Sequence, residues 1–177
     1  MALTSRAVFV DKDGTLVLNV PYNVDPERIA LTPRAIEGLE RIVHEGYGLI
    51  IVSNQPGAAM GLFREESLKE VESHLRRTLP ALDGFYYCPH LPGAGCGCRK
   101  PEPGLLERAA RERGVDLAAS RMVGDILDDI EAGRRAGCRT ILLDVGNETE
   151  WRLSASRRPH HVVADLAEAA EIIAGSA

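Results

Sequence analysis

The chain has 177 residues, 45% of them hydrophobic and 27% charged, with a formal net charge of −5. A chain of this size can bury a real core in one domain, and the acidic balance without a polybasic block argues against nucleic acid and anionic membranes as partners. No apolar run approaches the ~20 residues of a membrane span, and the opening "MALTSRAVFVDKDGT" reaches charge too soon for a signal peptide. Four cysteines, three of them clustered, do not resemble a secreted disulfide framework. The expected compartment is therefore the cytoplasm.

The expected elements alternate along the chain. A strand over 7–11, "AVFVD", ends in an acid. Residues 33–46 read as a helix, with Pro33 in its first turn and Ile36, Leu39, Ile42 and Val43 as an inward stripe. The near-continuous apolar run 47–54, "YGLIIVSN", reads as a strand covered on both faces. A helix over 65–79 turns Leu68, Val71, Leu75 and Leu79 inward, and "GFYYC" over 84–88 is a short strand. A helix over 105–113 stops at Gly114, and "RMVGD" over 121–125 is a strand. A helix over 129–136, a strand over 140–145 and a last short strand and helix complete the chain. Strands alternating with helices predict a doubly wound, Rossmann-like parallel sheet over residues 1–177 as a single domain.

In such a sheet ligands sit beyond the carboxyl ends of the strands. The residues there are Asp11 and Asp13, then Ser53 and Asn54, then Asp125. In "VFVDKDGTL" the two acids at i and i+2 of an extended chain can face one cleft. A solvated Asp-Gly turn is the plain alternative. A calcium loop of the EF-hand type does not fit, because the glycine comes too early and a strand precedes it. Acids gathered from two strand ends repel one another unless a cation is present, and oxygen ligands favour Mg²⁺. Asp128 reads as an acid in the first turn of a helix, and Asp129 as a residue behind the metal ligands. Ser53, Asn54, Lys100 and the fork of Arg99 supply donors for a phosphate.

The stretch "CPHLPGAGCGCRKPEPG" brings Cys88, His90, Cys96 and Cys98 together, with glycines that let a backbone wrap an ion. Three thiolates and an imidazole make a full tetrahedral set for Zn²⁺ and leave no open position, so a zinc ion in loop 88–98 would be structural. Metal-free cysteines are the alternative. Cys138 reads as an ordinary buried thiol, and His160 and His161 as loop residues.

"DKDGT", "VSN", Lys100 and "GDILDD", in that order at strand ends, resemble the four motifs of the haloacid dehalogenase (HAD) superfamily of phosphohydrolases. The lack of room for a large cap, the "SNQ" second motif and the cysteine loop resemble a narrower group within it. That group comprises the heptose 1,7-bisphosphate 7-phosphatases and the histidinol-phosphate phosphatases. The resemblance implies that Asp11 is the nucleophile and Asp13 the general acid and base. It implies Mg²⁺ held by Asp11, Asp125 and a backbone carbonyl at Asp13, with Ser53 and Lys100 on the phosphoryl oxygens. Asn54 and Gln55 would shape the pocket, Arg99 would recognise the rest of the substrate, and Asn19 and Tyr22 would line the entrance.

Two features divide the group. Met60 stands where heptose enzymes usually carry an arginine, and only "LPGAG" separates His90 from Cys96, as in the histidinol type. The second-motif segment "SNQPGAAMGLF" and the free-standing length look more like the heptose type, which is the expectation. A zinc-stabilised binding module without catalysis, or a phosphotransferase, is a further reading. The latter usually needs an inserted cap to exclude water. A small phosphorylated metabolite and a monomer complete the expectation.

Overall fold

The computed structural model describes residues 5–176. Along the chain run β1 (Ala7–Val10), α1 (Ala35–His44), β2 (Gly48–Asn54), α2 (Ser67–Thr78), β3 (Leu82–Cys88) and α3 (Gly104–Arg113). Then come β4 (Arg121–Gly124), α4 (Leu127–Arg135), β5 (Arg139–Leu143), β6 (His161–Val163) and α5 (Leu166–Ala174). All strand pairs are parallel, in the order β3-β2-β1-β4-β5-β6. The chain winds outward from β1 in one direction and from β4 in the other. This is the doubly wound α/β sheet expected from the alternation, and its reversal point lies between β1 and β4.

Both faces of the sheet are apolar, which explains the unbroken hydrophobic runs of its central strands. Val8, Val10, Leu49 and Ile51 point to one core, which includes Leu39, Ile42, Val71, Leu75 and Ile173 from α1, α2 and α5. Ala7, Phe9, Ile50 and Val52 point to the other, which includes Leu105, Leu106 and Ala109 of α3 and Ala132 of α4. Alternate residues of one strand thus serve opposite layers. Segments 11–34 and 55–66 contain no helix or strand apart from a 3-10 turn at Pro26–Arg28, so no cap domain stands over the sheet among the described residues.

Three expectations shift. The inward stripe of α1 is Ala35, Gly38, Leu39 and Ile42, while Ile36 and Val43 are 41% and 36% exposed. The cause is α5. A Cβ on Gly38 would lie 2.4 Å from the Leu166 carbonyl oxygen, so the two helices approach closely at Gly38, and Ile36 and Val43 fall on the outer side of α1. Helix α4 begins at Leu127 rather than 129, because the Asp129 carboxylate accepts from Ile126 N–H (3.3 Å) and closes the first turn. His161 lies in β6, not in a loop. Among the described residues no helix is long and apolar enough to cross a membrane.

Candidate active site

Asp11 directly follows β1, and its N–H donates to the Val123 carbonyl at 3.0 Å, which extends the β1–β4 ladder. That bond brings Asp11 alongside Asp125, the residue after β4. Ligand oxygens of Asp11, Asp125 and Asp129 lie within 4.8 Å of one another, and all three residues are buried. Lys100 reaches this group from the far end of the cysteine loop. Its Nζ is 2.6 Å from Asp11 Oδ1, 2.6 Å from Asp129 Oδ1 and donates to the Val52 carbonyl at 3.0 Å.

One buried lysine cannot balance three buried carboxylates. Desolvation lifts the Asp11 carboxyl well above its ordinary range; Lys100 opposes this, while Asp129, Asp125 and Asp13 add to it. Asp125 is raised first by burial and then by Asp129, against hydrogen bonds from Thr15 and Asn147. Burial works against the Lys100 charge, but Asp11 and Asp129 outweigh it and hold the ammonium above the usual lysine range. A divalent cation would satisfy the excess charge, and a set of carboxylate oxygens suits Mg²⁺. Both Asp129 oxygens are already engaged, Oδ2 by the N–H groups of Asp125 (3.2 Å) and Ile126, and Oδ1 by Lys100.

The remaining residues form a linked frame around the acids. Gln55 Nε2 donates to Asp13 Oδ2 and to Ser53 Oγ, both at 2.8 Å. The buried Lys12 ammonium pairs with Asp13 Oδ1. Asn54 binds the backbone of Lys100 twice: Nδ2 donates to its carbonyl and Oδ1 accepts from its N–H, each at 3.0 Å. Both ends of the Asn54 amide are therefore spent on locating Lys100. Arg99 donates to the His90 carbonyl at 3.2 Å and lines a cleft of ≈ 640 Å³ with Lys100, Cys96 and Asp128. Asn19 lines a neighbouring pocket of ≈ 380 Å³ beside Gly14, Thr15 and Asn147. Tyr22 is 48% exposed, and neither it nor Asn19 joins the hydrogen-bonded frame described here.

Cys88, His90, Cys96 and Cys98 converge. Cys88 Sγ lies 3.1 Å from Cys98 Sγ, 3.7 Å from Cys96 Sγ and 3.4 Å from His90 Nδ1, and Cys98 Sγ lies 3.3 Å from His90 Nδ1. A tetrahedron with Zn–S bonds of about 2.3 Å has edges of about 3.8 Å, so the cluster could hold a zinc ion. The four cysteines form no disulfides. Burial, then the Cys98 thiol beside it, pushes the Cys88 thiol up to about 12. It would need a cation to become the thiolate that binds metal.

A HAD-hydrolase-like family model matches residues 97–169. Over 181 residues the chain is 34% identical to the D-glycero-beta-D-manno-heptose-1,7-bisphosphate 7-phosphatase of Photorhabdus laumondii, covering 96% of this chain and 95% of that one. The chain belongs to the HAD family of phosphatases. The Escherichia coli enzyme of the same name is 32% identical over 175 residues, covering 88% of this chain and 92% of that one. Among solved structures, a D,D-heptose 1,7-bisphosphate phosphatase from B. bronchiseptica, complexed with magnesium and phosphate, superposes with a TM-score of 0.85. It is 31% identical, with 97% of this chain and 99% of that chain covered. The HAD fold accounts for the site's position: the first and fourth motifs follow the adjacent strands at the sheet reversal.

Three polar residues of this HAD site escaped the sequence reading. Thr15 donates to Asp125 Oδ1 at 2.8 Å, Asn147 donates to Asp125 Oδ2 at 2.7 Å, and Lys12 holds Asp13. Lys12 and Thr15 lie inside "DKDGT", so the motif that carries the two acids also carries their partners. Asn147 gave no local signal, since it follows β5 and reaches Asp125 only through the fold. Met60 is 48% exposed, and its N–H donates to the Pro56 carbonyl (3.0 Å) in the turn after the second motif.

Proposed function

We propose that the protein is a Mg²⁺-dependent phosphomonoesterase that removes the 7-phosphate of D-glycero-D-manno-heptose 1,7-bisphosphate. The convergence of Asp11, Lys100 and Asp125 at the sheet reversal supports the reaction type. The full-length likeness to heptose-bisphosphate phosphatases supports the substrate.

In this reading an Asp11 oxygen attacks phosphorus, and the bond from phosphorus to the sugar oxygen breaks. Asp13 passes its proton to the departing alkoxide. Gln55 and Lys12 hold Asp13 for that transfer. Asp13 then takes a proton from water, whose oxygen attacks the phosphorus of the aspartyl phosphate. The bond from phosphorus to Asp11 breaks, releasing inorganic phosphate and restoring the carboxylate. Lys100 and Ser53 face the phosphoryl oxygens and stabilise their charge in transit. Mg²⁺, bound by Asp11, Asp125 and the Asp13 carbonyl, would screen the approach of one anion to another. Arg99 contacts the sugar end of the substrate, Asn54 keeps Lys100 in register, and Asn19 and Tyr22 flank the entrance. The four-ligand cluster carries a structural zinc. The protein works as a cytoplasmic monomer on a small metabolite, without nucleic acid or membrane partners, and residues 1–177 act as one domain.

Rates on heptose 1,7-bisphosphate and histidinol phosphate, measured side by side with Mg²⁺, test the assignment. The expected result is a clear preference for the heptose; a preference for histidinol phosphate would move the protein to the histidinol group. Asp11→Asn should abolish turnover, and retained activity would remove the aspartyl-phosphate route.

A further inference from the structure

Segment 144–160, between β5 and β6, has no helix or strand of its own, yet it is fastened to the active-site end of the sheet. Asp144 N–H donates to the Val163 carbonyl at 2.9 Å. Glu148 Oε2 accepts from Leu127 N–H at 2.7 Å, capping the first turn of α4. Arg157 bridges Asp128 (2.9 Å) and Glu131 (2.7 Å) on the same helix. At its far end His160 Nδ1 accepts from Thr140 N–H at 2.9 Å. Asn147 sits between these attachments and reaches into the metal-ligand cluster.

Asp125 faces two other buried carboxylates, which would turn its own carboxylate away. Thr15 on Oδ1 and Asn147 on Oδ2 set its rotation from opposite sides. A carboxylate oxygen has two acceptor sites, so each donor takes one and leaves one for a cation. The Gly14 backbone packs closely against this pair: a Cβ at Gly14 would lie 2.3 Å from Asp125 Oδ2 and 2.6 Å from Asn147 Nδ2. Thr15 belongs to the same turn as Asp11, whereas Asn147 arrives on a separate segment.

We propose that Asn147 is a positioning residue for Asp125, and that segment 144–160 is the arm that delivers it. The proposal rests on the reading of Asp125 as a Mg²⁺ ligand. Partners behind metal ligands typically change affinity or activity about 10–100-fold when lost.

The test is titration of Mg²⁺ into the purified full chain by calorimetry, for wild type, Asn147→Ala and the near-isosteric Asn147→Leu, with Asp125→Asn as reference. Mg²⁺ activation curves and melting temperatures in EDTA accompany it. In both Asn147 variants the Mg²⁺ Kd and the half-activating concentration should rise at least about tenfold. KM at saturating Mg²⁺ should stay at the wild-type value, and the metal-free melting temperature should fall only by the about 2–4 °C that loss of one hydrogen bond implies. A general structural role would lower the metal-free melting temperature by clearly more than that while leaving Mg²⁺ affinity at the wild-type value, and would overturn the proposal. Wild-type Mg²⁺ affinity in both variants would overturn it too. If Asp125→Asn binds Mg²⁺ as tightly as wild type, the metal-ligand reading itself fails, and the positioning role with it.

Discussion

At the residue scale, the amides at the carboxyl end of β2 act on other protein groups. Asn54 forms two bonds to the Lys100 backbone, and Gln55 joins Ser53 to Asp13. Each such bond contributes only about 1 kcal/mol to stability, but a side chain displaced by about 1 Å can cost about 10²-fold in rate. Asn54→Ala should therefore lower kcat by about 10²-fold, with the Mg²⁺ activation constant unchanged. Steady-state kinetics at fixed and varied Mg²⁺ checks this; an unaltered kcat would mean that Lys100 is held without it. His160 supplies a pH prediction. Its Nδ1 accepts a backbone N–H, so the neutral ring fits, and burial followed by Arg134, Arg139, His161 and Arg121 lowers its pKa from 6.5. Between the lowered folded value and the ordinary one the unfolded chain binds more protons, so stability falls as pH drops through that window. Melting curves from about pH 7 to 5 should show this fall in wild type and a shallower one in His160→Gln.

At the scale of elements, the contact of α1 with α5 depends on one missing side chain. Alanine has the better helix propensity by about 1 kcal/mol, so Gly38→Ala would stabilise an isolated α1. In the folded protein the new methyl meets the Leu166 backbone at 2.4 Å, and backbone cannot swing aside as a side chain can. Overpacking of this kind costs about 1–3 kcal/mol, which outweighs the propensity gain. Urea unfolding should show a net loss of stability. A gain would show that the two helices can separate without penalty.

For the whole molecule, the Cys/His cluster proposed to hold zinc and the acid cluster are linked through covalent succession. Cys98 is followed by Arg99 and Lys100, Arg99 bonds back to His90, and Lys100 ends against Asp11. Removing zinc should lower phosphatase activity while calorimetry still finds the Mg²⁺ site. Full activity in demonstrably zinc-free protein would refute the coupling. The freed thiols should react in order. Desolvation raises Cys96, but the Arg99 N–H and the neighbouring thiols bring it down to about 7, whereas burial pushes Cys88 and Cys138 up to about 12. Since the thiolate is the reactive form, alkylation followed by mass spectrometry should find Cys96 modified first.

The sequence by itself determined the alternation of strands and helices, the polar residues gathered at the strand ends and the cysteine loop. Each is a local pattern: an apolar run ending in Asp11, another ending in Ser53, and four ligands within one short stretch. Only the tertiary structure decided which face of α1 is buried, because that depends on the Leu166 backbone of α5. Only the fold, likewise, showed that Asn54 holds Lys100 and that Asn147 holds Asp125. These pairs are far apart along the chain, and no periodicity or spacing records them. They meet because β1, β2 and β4 are neighbours in one parallel sheet and the segment after β5 folds back over its carboxyl edge.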